Sequence, residues 1–192
     1  MNLNNTKTKE NLLKAFAGES QARNRYTYFA SVAKKENYPT IAVIFEETAN
    51  HEKEHAKRLF KFLEDGDNLE ITASFPAGKI GKTLENLISS ANGEHEEYSE
   101  MYPSFAKIAR EEGFENIAKV FENIAIAEKY HEERFKKLIE DLNNNGLFKK
   151  AGLVVWKCTN CGFHISSVEA PLVCPACGHK QEYFIELNDK LY

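Results

Sequence analysis

Two stretches of the sequence place a glutamate three residues before a histidine: Glu52-Lys53-Glu54-His55 and Glu128-Lys129-Tyr130-His131. Residues three apart lie on one face of an α-helix, so the glutamate and histidine of each stretch can reach one metal ion. Carboxylate oxygen combined with imidazole nitrogen favours iron or manganese over calcium or magnesium. Each stretch taken alone is more typical of a solvated, charged helix face.

The two stretches belong to an internal repeat, which favours the metal-binding interpretation. Glu19 lies 33 residues before Glu52, and Glu94 lies 34 residues before Glu128. Glu97 follows Glu94 by about one helical turn. Apolar residues at helical spacing lead into both Glu-x-x-His stretches and place the ligand candidates on inner faces. Five inward carboxylates are strongly disfavoured unless cations neutralise them, so the repeat predicts a site for two metal ions.

A glutamate from each of two helices and a Glu-x-x-His motif from each of two others is the pattern of ferritin-like di-iron or di-manganese carboxylate proteins. Helical periodicity predicts four helices, at about 8–36, 39–65, 82–112 and 114–142. Pro39 suits the first turn of the second helix. The short links after the first and third helices make each of them antiparallel to the helix that follows.

Residues 66–81 separate the second helix from the third, contain Pro76 and three glycines, and show no helical period. A second helix of about 27 residues would be roughly 40 Å long. Fifteen extended residues span up to about 50 Å, so this loop can run the length of the bundle. We therefore expect a ferritin-like four-helix bundle with one long crossover, in which the third helix starts parallel to the second.

All four cysteines lie near the C-terminus, in the pairs Cys158-x-x-Cys161 and Cys174-x-x-Cys177. Each pair is followed by a glycine, Gly162 or Gly178, which permits a tight loop with backbone N–H groups directed at sulfur. Four thiolates form a tetrahedral site that suits a structural zinc ion or a single redox-active iron. We predict a bundle domain at residues 1–146 and a small β domain at residues 147–192, which the metal would stabilise.

Composition excludes several classes of function. The 192 residues are 42% hydrophobic and carry a net charge of −4 with both signs interspersed, so no basic face for nucleic acid is expected. The N-terminal residues have no apolar signal core, and no apolar run is long enough to cross a membrane. We expect a cytoplasmic protein, a compartment in which clustered cysteines favour a metal site over disulfides.

Four further side chains lie close to the ligand candidates. His51 and His95 each neighbour a ligand candidate in sequence, which turns them about 100° away on a helix and favours a surface or ligand-supporting role. Tyr26 and Tyr102 lie on or near the ligand faces. Each is either an ordinary core tyrosine or one whose hydroxyl bonds to a ligand carboxylate.

Together these motifs resemble the rubrerythrin family over nearly the whole chain. The resemblance rests on the domain order, the two Glu-x-x-His copies and the paired cysteines. It also rests on three segments, 18–26 (GESQARNRY), 75–78 (FPAG) and 93–97 (GEHEE). It implies a di-iron bundle followed by a rubredoxin-like module, with three iron ions per chain, and zinc able to replace iron. The implied di-iron ligands, which are also the catalytic residues, are Glu19, Glu52, His55, Glu94, Glu97, Glu128 and His131.

The resemblance also implies an activity. Rubrerythrins are peroxide reductases, peroxidase-type oxidoreductases that act in oxidative stress defence. The module would bind iron through Cys158, Cys161, Cys174 and Cys177 and pass on electrons from rubredoxin or an NAD(P)H-dependent reductase. His55 and Glu97 would exchange at one iron as the redox state changes. A homodimer is expected, with the module of one chain near the di-iron site of the other.

Two other functions use the same motifs. A ferroxidase or iron-storage protein shares the di-iron site but needs a hollow shell of roughly two dozen chains. A zinc-ribbon adaptor with a degenerate bundle would contain zinc and no iron. The complete ligand set argues against the adaptor, because an unused site need not keep five inward carboxylates.

Overall fold

The computed structural model describes residues 2–63, 66 and 68–187, and its larger part is a bundle of four long helical rods. Two rods are single helices connected by a short turn, the third is built from two helices, and the fourth is again a single helix. Their bounds are α1 Lys7–Lys35, α2 Pro39–Phe60, α3 Thr83–Glu96, α4 Tyr102–Glu111 and α5 Glu115–Asn143. A π-helical segment, Glu97–Met101, joins α3 to α4. This architecture confirms the predicted mainly α, ferritin-like fold.

Local chemistry explains where the helices begin. The Thr6 side chain accepts a hydrogen bond from the backbone of Lys9 and so caps α1. Pro39 occupies the first turn of α2, as predicted. The α1 helix packs along α2, and α3 and α4 pack against α5. Residues 68–82 form no helix or strand, in agreement with the long crossover expected between α2 and α3.

The core consists of two apolar clusters with a band of carboxylates between them. One cluster contains Phe29, Phe45 and Phe135, and the other contains Leu12 and Phe121. Both clusters exclude water from the middle of the bundle. A charged group in that middle region therefore needs a partner of opposite charge.

The third rod departs from the prediction of one uninterrupted helix. In the π-helical segment the Tyr102 N–H bonds to the carbonyl of Glu97, five residues earlier. Pro103 follows at once, and proline can neither donate an i→i−4 hydrogen bond nor avoid the carbonyl four residues before it. The wider π turn accommodates this interruption next to the carboxylate band, where such segments often have functional roles.

The second helix ends earlier than predicted. It stops at Phe60, and residues 61 and 62 form a turn. The predicted end near Asp65 lies outside the described residues. No helix in the described part of the chain combines the length and apolarity that a membrane span requires.

The C-terminal module is a three-stranded antiparallel sheet in the order β2-β1-β3. Its strands are β1 Lys149–Cys158, β2 His164–Glu169 and β3 Phe184–Glu186. Trp156 is fully buried in its small core. An ion pair attaches the module to the bundle, because the Lys150 ammonium of β1 lies 2.8 Å from Asp141 of α5. The same ammonium lies 3.2 Å from Glu186 of β3, within the module.

Candidate functional site

The bundle brings six of the seven predicted di-iron ligands together at its centre. They form two sets of four ligand atoms, and within each set all atoms lie within 4.8 Å of one another. The His55 group consists of Glu19, Glu52, His55 and Glu128, and the His131 group consists of Glu52, Glu94, Glu128 and His131. Glu52 and Glu128 belong to both groups. Two adjacent metal positions with two shared carboxylates fit this arrangement.

Several polar atoms in both groups lack the hydrogen-bond partners that buried polar atoms normally have. Glu19, Glu94 and Glu128 each have a buried carboxylate oxygen without a hydrogen-bond partner. The Nδ1 atom of His131 is also unpartnered, although it lies only 2.6 Å from a Glu128 oxygen. The two atoms converge without hydrogen-bond alignment, as ligand atoms around a common ion do. The donor set therefore fits metal ions.

The protonation behaviour of the cluster also favours bound cations. Burial, reinforced by the Glu128 carboxylate, raises the pKa of Glu19 to about 8. Burial alone would lower the pKa of His131, but the Glu128 and Glu52 carboxylates outweigh it and raise that pKa to about 9. Burial likewise opposes ionisation of Glu52, yet contacts with His131 and His55 lower its pKa to about 2. Metal ions would take over the neutralisation that protons otherwise provide.

Two buried tyrosines each bond to a carboxylate of a different group. The Tyr102 hydroxyl donates to Glu19, which belongs only to the His55 group. The Tyr26 hydroxyl donates to Glu94, which belongs only to the His131 group. Of the two roles left open by the sequence, the structure therefore supports a hydroxyl bonded to a ligand carboxylate.

Glu97, the seventh predicted ligand, lies outside both groups. It is half-buried at the first position of the π-helical segment. Removal of its carboxyl from water, followed by the charges of Glu19 and Glu128, raises its pKa well above the ordinary value. Its charge is thus coupled to the cluster although it is not among the grouped ligand atoms.

The two histidines that neighbour ligand candidates have different surroundings. His51 Nδ1 lies 3.1 Å from Nε2 of His131, and the two ring planes are within 10° of parallel. Partial burial and the nearby His131 lower the pKa of His51, which favours its neutral form. His95 Nδ1 instead lies 3.0 Å from an oxygen of the buried Glu132 side chain of α5. His51 therefore contacts a predicted ligand, whereas His95 is an exposed residue whose contact with Glu132 lies outside both groups.

A buried arginine not identified from the sequence joins α5 to α2 beside the site. One Arg134 nitrogen lies 3.0 Å from Glu47, and another donates to the Thr48 hydroxyl at 2.8 Å. Arg134 follows His131 by three residues, and Thr48 precedes Glu52 by four. The contacts therefore fix the relative position of the two Glu-x-x-His stretches. The sequence does not distinguish this buried arginine from exposed ones, because charged residues are frequent throughout the chain.

An open groove runs along α2 and α5 beside the two histidines predicted to be ligands. Its volume is about 1020 Å³, and its lining includes His51, His55, Tyr130 and His131. Tyr130 is largely exposed there. The imidazole side of the cluster therefore faces the groove, whereas Glu19, Glu52, Glu94 and Glu128 are buried.

The four cysteines form a second candidate metal centre. The Sγ atoms of Cys158 and Cys177 are 3.7 Å apart, as are those of Cys161 and Cys174, and all four lie within 4.8 Å of one another. Each pair is closed by its following glycine, with positive φ values of 77° and 74° at residues 162 and 178. The His179 backbone N–H is the main cause that lowers the pKa of Cys177, to about 6. These thiols fit a tetrahedral metal ion.

Comparisons with known proteins agree with both centres. The family model described as Rubrerythrin matches residues 10–139, and the model described as Rubrerythrin, rubredoxin-like domain matches residues 156–185. The chain is 56% identical over 182 residues to rubrerythrin from Nitratidesulfovibrio vulgaris, covering 95% of each chain. It is 57% identical over 179 residues to rubrerythrin from Porphyromonas gingivalis, covering 93% of this chain and 89% of the relative.

Comparison with solved structures indicates the same ferritin-like fold. Fully reduced, all-ferrous nigerythrin superposes with a TM-score of 0.64 at 32% identity, covering 96% of this chain and 91% of that one. Together with the two ligand groups and the four cysteines, these matches support a di-iron ferritin-like site, a rubredoxin-like four-cysteine site and an iron-dependent redox role. The chain belongs to the rubrerythrin family.

Proposed function

We propose that this protein is a peroxidase-type oxidoreductase that reduces hydrogen peroxide to two waters, using two electrons and two protons. The observation that carries the proposal is the pair of buried four-ligand groups sharing Glu52 and Glu128, in one chain with a four-cysteine site. A two-metal site can deliver both electrons together, and a one-metal thiolate site can replace them singly. This division explains why both centres occur in one protein.

We assign one metal ion to each of the two ligand groups and one to the cysteines. The His55 group would hold one iron, the His131 group would hold the second, and the four cysteines would hold a third. A ferrous pair, when bound, would supply the two electrons that cleave the O–O bond. The protein's own part is to hold and orient the ligands, which the hydroxyls of Tyr26 and Tyr102 and the Arg134 contacts do.

Glu97 and His55 have different proposed roles at one metal position. The resemblance implies that they exchange there with redox state, and His55 but not Glu97 is among the grouped atoms. A carboxyl at Glu97 with a raised pKa could also retain a proton beside the site. Half-burial would let that proton exchange with solvent between turnovers.

The proposed electron route involves an external donor and a second copy of the chain. Rubredoxin or an NAD(P)H-dependent reductase in the cytoplasm would reduce the four-cysteine site, since Cys161 is exposed. A homodimer would seat the module of one chain in the groove beside the other chain's His55 and His131. The groove's size and its position on the imidazole side of the cluster support this placement.

Removal of one cysteine tests the proposal. Cys174→Ser should leave rapid oxidation of the reduced di-iron site by one addition of peroxide unchanged. Sustained turnover with an external donor should fall to background, because electrons no longer enter. Ser166→Ala, at an exposed position of β2, is the matched control and should retain both.

Two results would count against the proposal in different ways. Sustained turnover after loss of the metal from the four-cysteine site would refute its role in electron entry. A reduced, iron-loaded wild-type protein that does not consume peroxide faster than free ferrous iron would refute peroxide reduction itself.

A further inference from the structure

The two Glu-x-x-His copies have unequal surroundings on their groove side. His51 precedes Glu52 on α2 and contacts His131 on α5, across the groove. The equivalent residue of the second copy is Ala127, which precedes Glu128 and also lines the groove. Alanine has no polar side-chain atom. Among the residues that the structure describes, Nε2 of His55 accordingly has no hydrogen-bond partner.

The atoms of the His51–His131 contact have defined roles once His131 binds metal. Its Nδ1 faces the cluster, 2.6 Å from Glu128 and 3.2 Å from Glu52, so Nδ1 is the ligand atom. A neutral imidazole bound through Nδ1 carries its proton on Nε2, which must donate. The Nδ1 atom of His51, at 3.1 Å, is then the acceptor, and His51 carries its own proton on Nε2.

We propose that His51 is a positioning residue that accepts the Nε2–H of His131 and holds this ligand fixed, whereas His55 is left free to leave its metal. The inference rests on the proposed function, because it explains why ligand exchange is confined to the His55 group. A ligand histidine normally donates its second N–H to a carboxylate, a carbonyl or water, and this bond sets its tautomer and orientation. An imidazole acceptor on the facing helix performs that task here.

The direct test is NMR spectroscopy of the full-length, ¹⁵N-labelled protein loaded with zinc, which is diamagnetic. A scalar coupling between Nε2 of His131 and Nδ1 of His51 should be observed across the N–H···N bond. His51→Leu should abolish the coupling, and the same variant should bind zinc roughly 10-fold more weakly at the His131 group, the low end of the range for such partners. Binding at the His55 group should be unchanged.

Two further variants separate hydrogen bonding from packing. His51→Asn has nearly the shape of leucine but places an oxygen close to the former Nδ1, so it should restore most of the zinc affinity. Asn50→Leu adds the same apolar side chain at an exposed neighbouring position of α2 and should bind zinc as the wild type does.

Absence of the coupling, or wild-type zinc affinity in His51→Leu, would overturn the inference. Equal weakening by the leucine and asparagine variants would also overturn it, because shape and not the acceptor would then matter. Neither measurement uses peroxide. A protein that behaved as described but failed to reduce peroxide would refute the proposed function alone.

Discussion

Removal of the two buried tyrosine hydroxyls should weaken the two metal positions separately. Tyr102 bonds to Glu19, which serves only the His55 group, and Tyr26 bonds to Glu94, which serves only the His131 group. Each substitution to phenylalanine keeps the ring and its aromatic packing, such as that between Tyr102 and Phe121 with centroids 5.9 Å apart. The change is therefore confined to one hydroxyl.

The size of the expected loss in metal affinity follows from the burial of each tyrosine–glutamate pair and from the charge of its carboxylate. Both tyrosines are essentially inaccessible, and so are their carboxylate partners, so water cannot replace the lost donor. A hydrogen bond to a charged group contributes about 1.5–3 kcal/mol, which is a factor of roughly 10 to 150 in binding. Tyr102→Phe should weaken metal binding at the His55 group by this factor, and Tyr26→Phe should weaken metal binding at the His131 group by a similar factor.

The assay is a zinc titration in which the imidazole resonances of His55 and His131 report which position fills. The double variant should show the sum of the two single free-energy losses, since the two tyrosines bond to different carboxylates. Equal weakening of both positions by either substitution would refute the assignment of one tyrosine to each group. A loss smaller than about 0.5 kcal/mol in both variants would refute the claim that these bonds hold the ligands, being below the usual range for any hydrogen bond.

Three other predictions concern stability. Arg134→Met removes a buried cation bonded to Thr48 and should lower the free energy of unfolding by about 2 kcal/mol. A calorimetric scan should then show a melting temperature lowered by roughly 4–8 °C. An unchanged melting temperature would contradict the proposed link between α2 and α5. Without metal, Glu19 and His131 both have raised pKa values, so the folded state binds extra protons and its melting temperature should fall as pH rises from about 5 to 9. Bound metal should reverse this trend, because deprotonation of the ligands strengthens metal binding. A metal-free protein that became more stable over that pH range would contradict this prediction. Stripping metal from the four-cysteine site should expose the buried Trp156 and shift its fluorescence to the red while helical circular dichroism persists, whereas unaltered fluorescence would indicate that the module folds without metal.

Periodicity and spacing were sufficient to predict the bundle, its crossover and the clustering of the ligands. The glutamates and histidines follow the apolar face of each helix, so a correct helix assignment already directs them inward. Some residue types indicate backbone conformation directly. Examples are the proline at the first turn of α2 and the glycines after the cysteine pairs. These features depend on local chemistry, which a single sequence contains.

The remaining features depend on contacts between distant segments or on local exceptions. The π-helical segment could have been suspected from Pro103, but apolar periodicity continues through it. Glu97 follows Glu94 by three residues and yet lies outside the grouped atoms, so helical spacing alone does not decide which carboxylates meet. The direction of His51 towards His131 depends on how α2 and α5 approach each other, which helical spacing within either one does not determine.

The measurement that tests the central claim most directly is the stoichiometry of peroxide consumption by the fully reduced, iron-loaded protein under anaerobic conditions. We expect one hydrogen peroxide to be consumed for every two electrons released, with no oxygen evolved and with subsequent oxidation of the four-cysteine site visible in its absorption. Evolution of oxygen, or persistence of peroxide while both centres stay reduced, would contradict it.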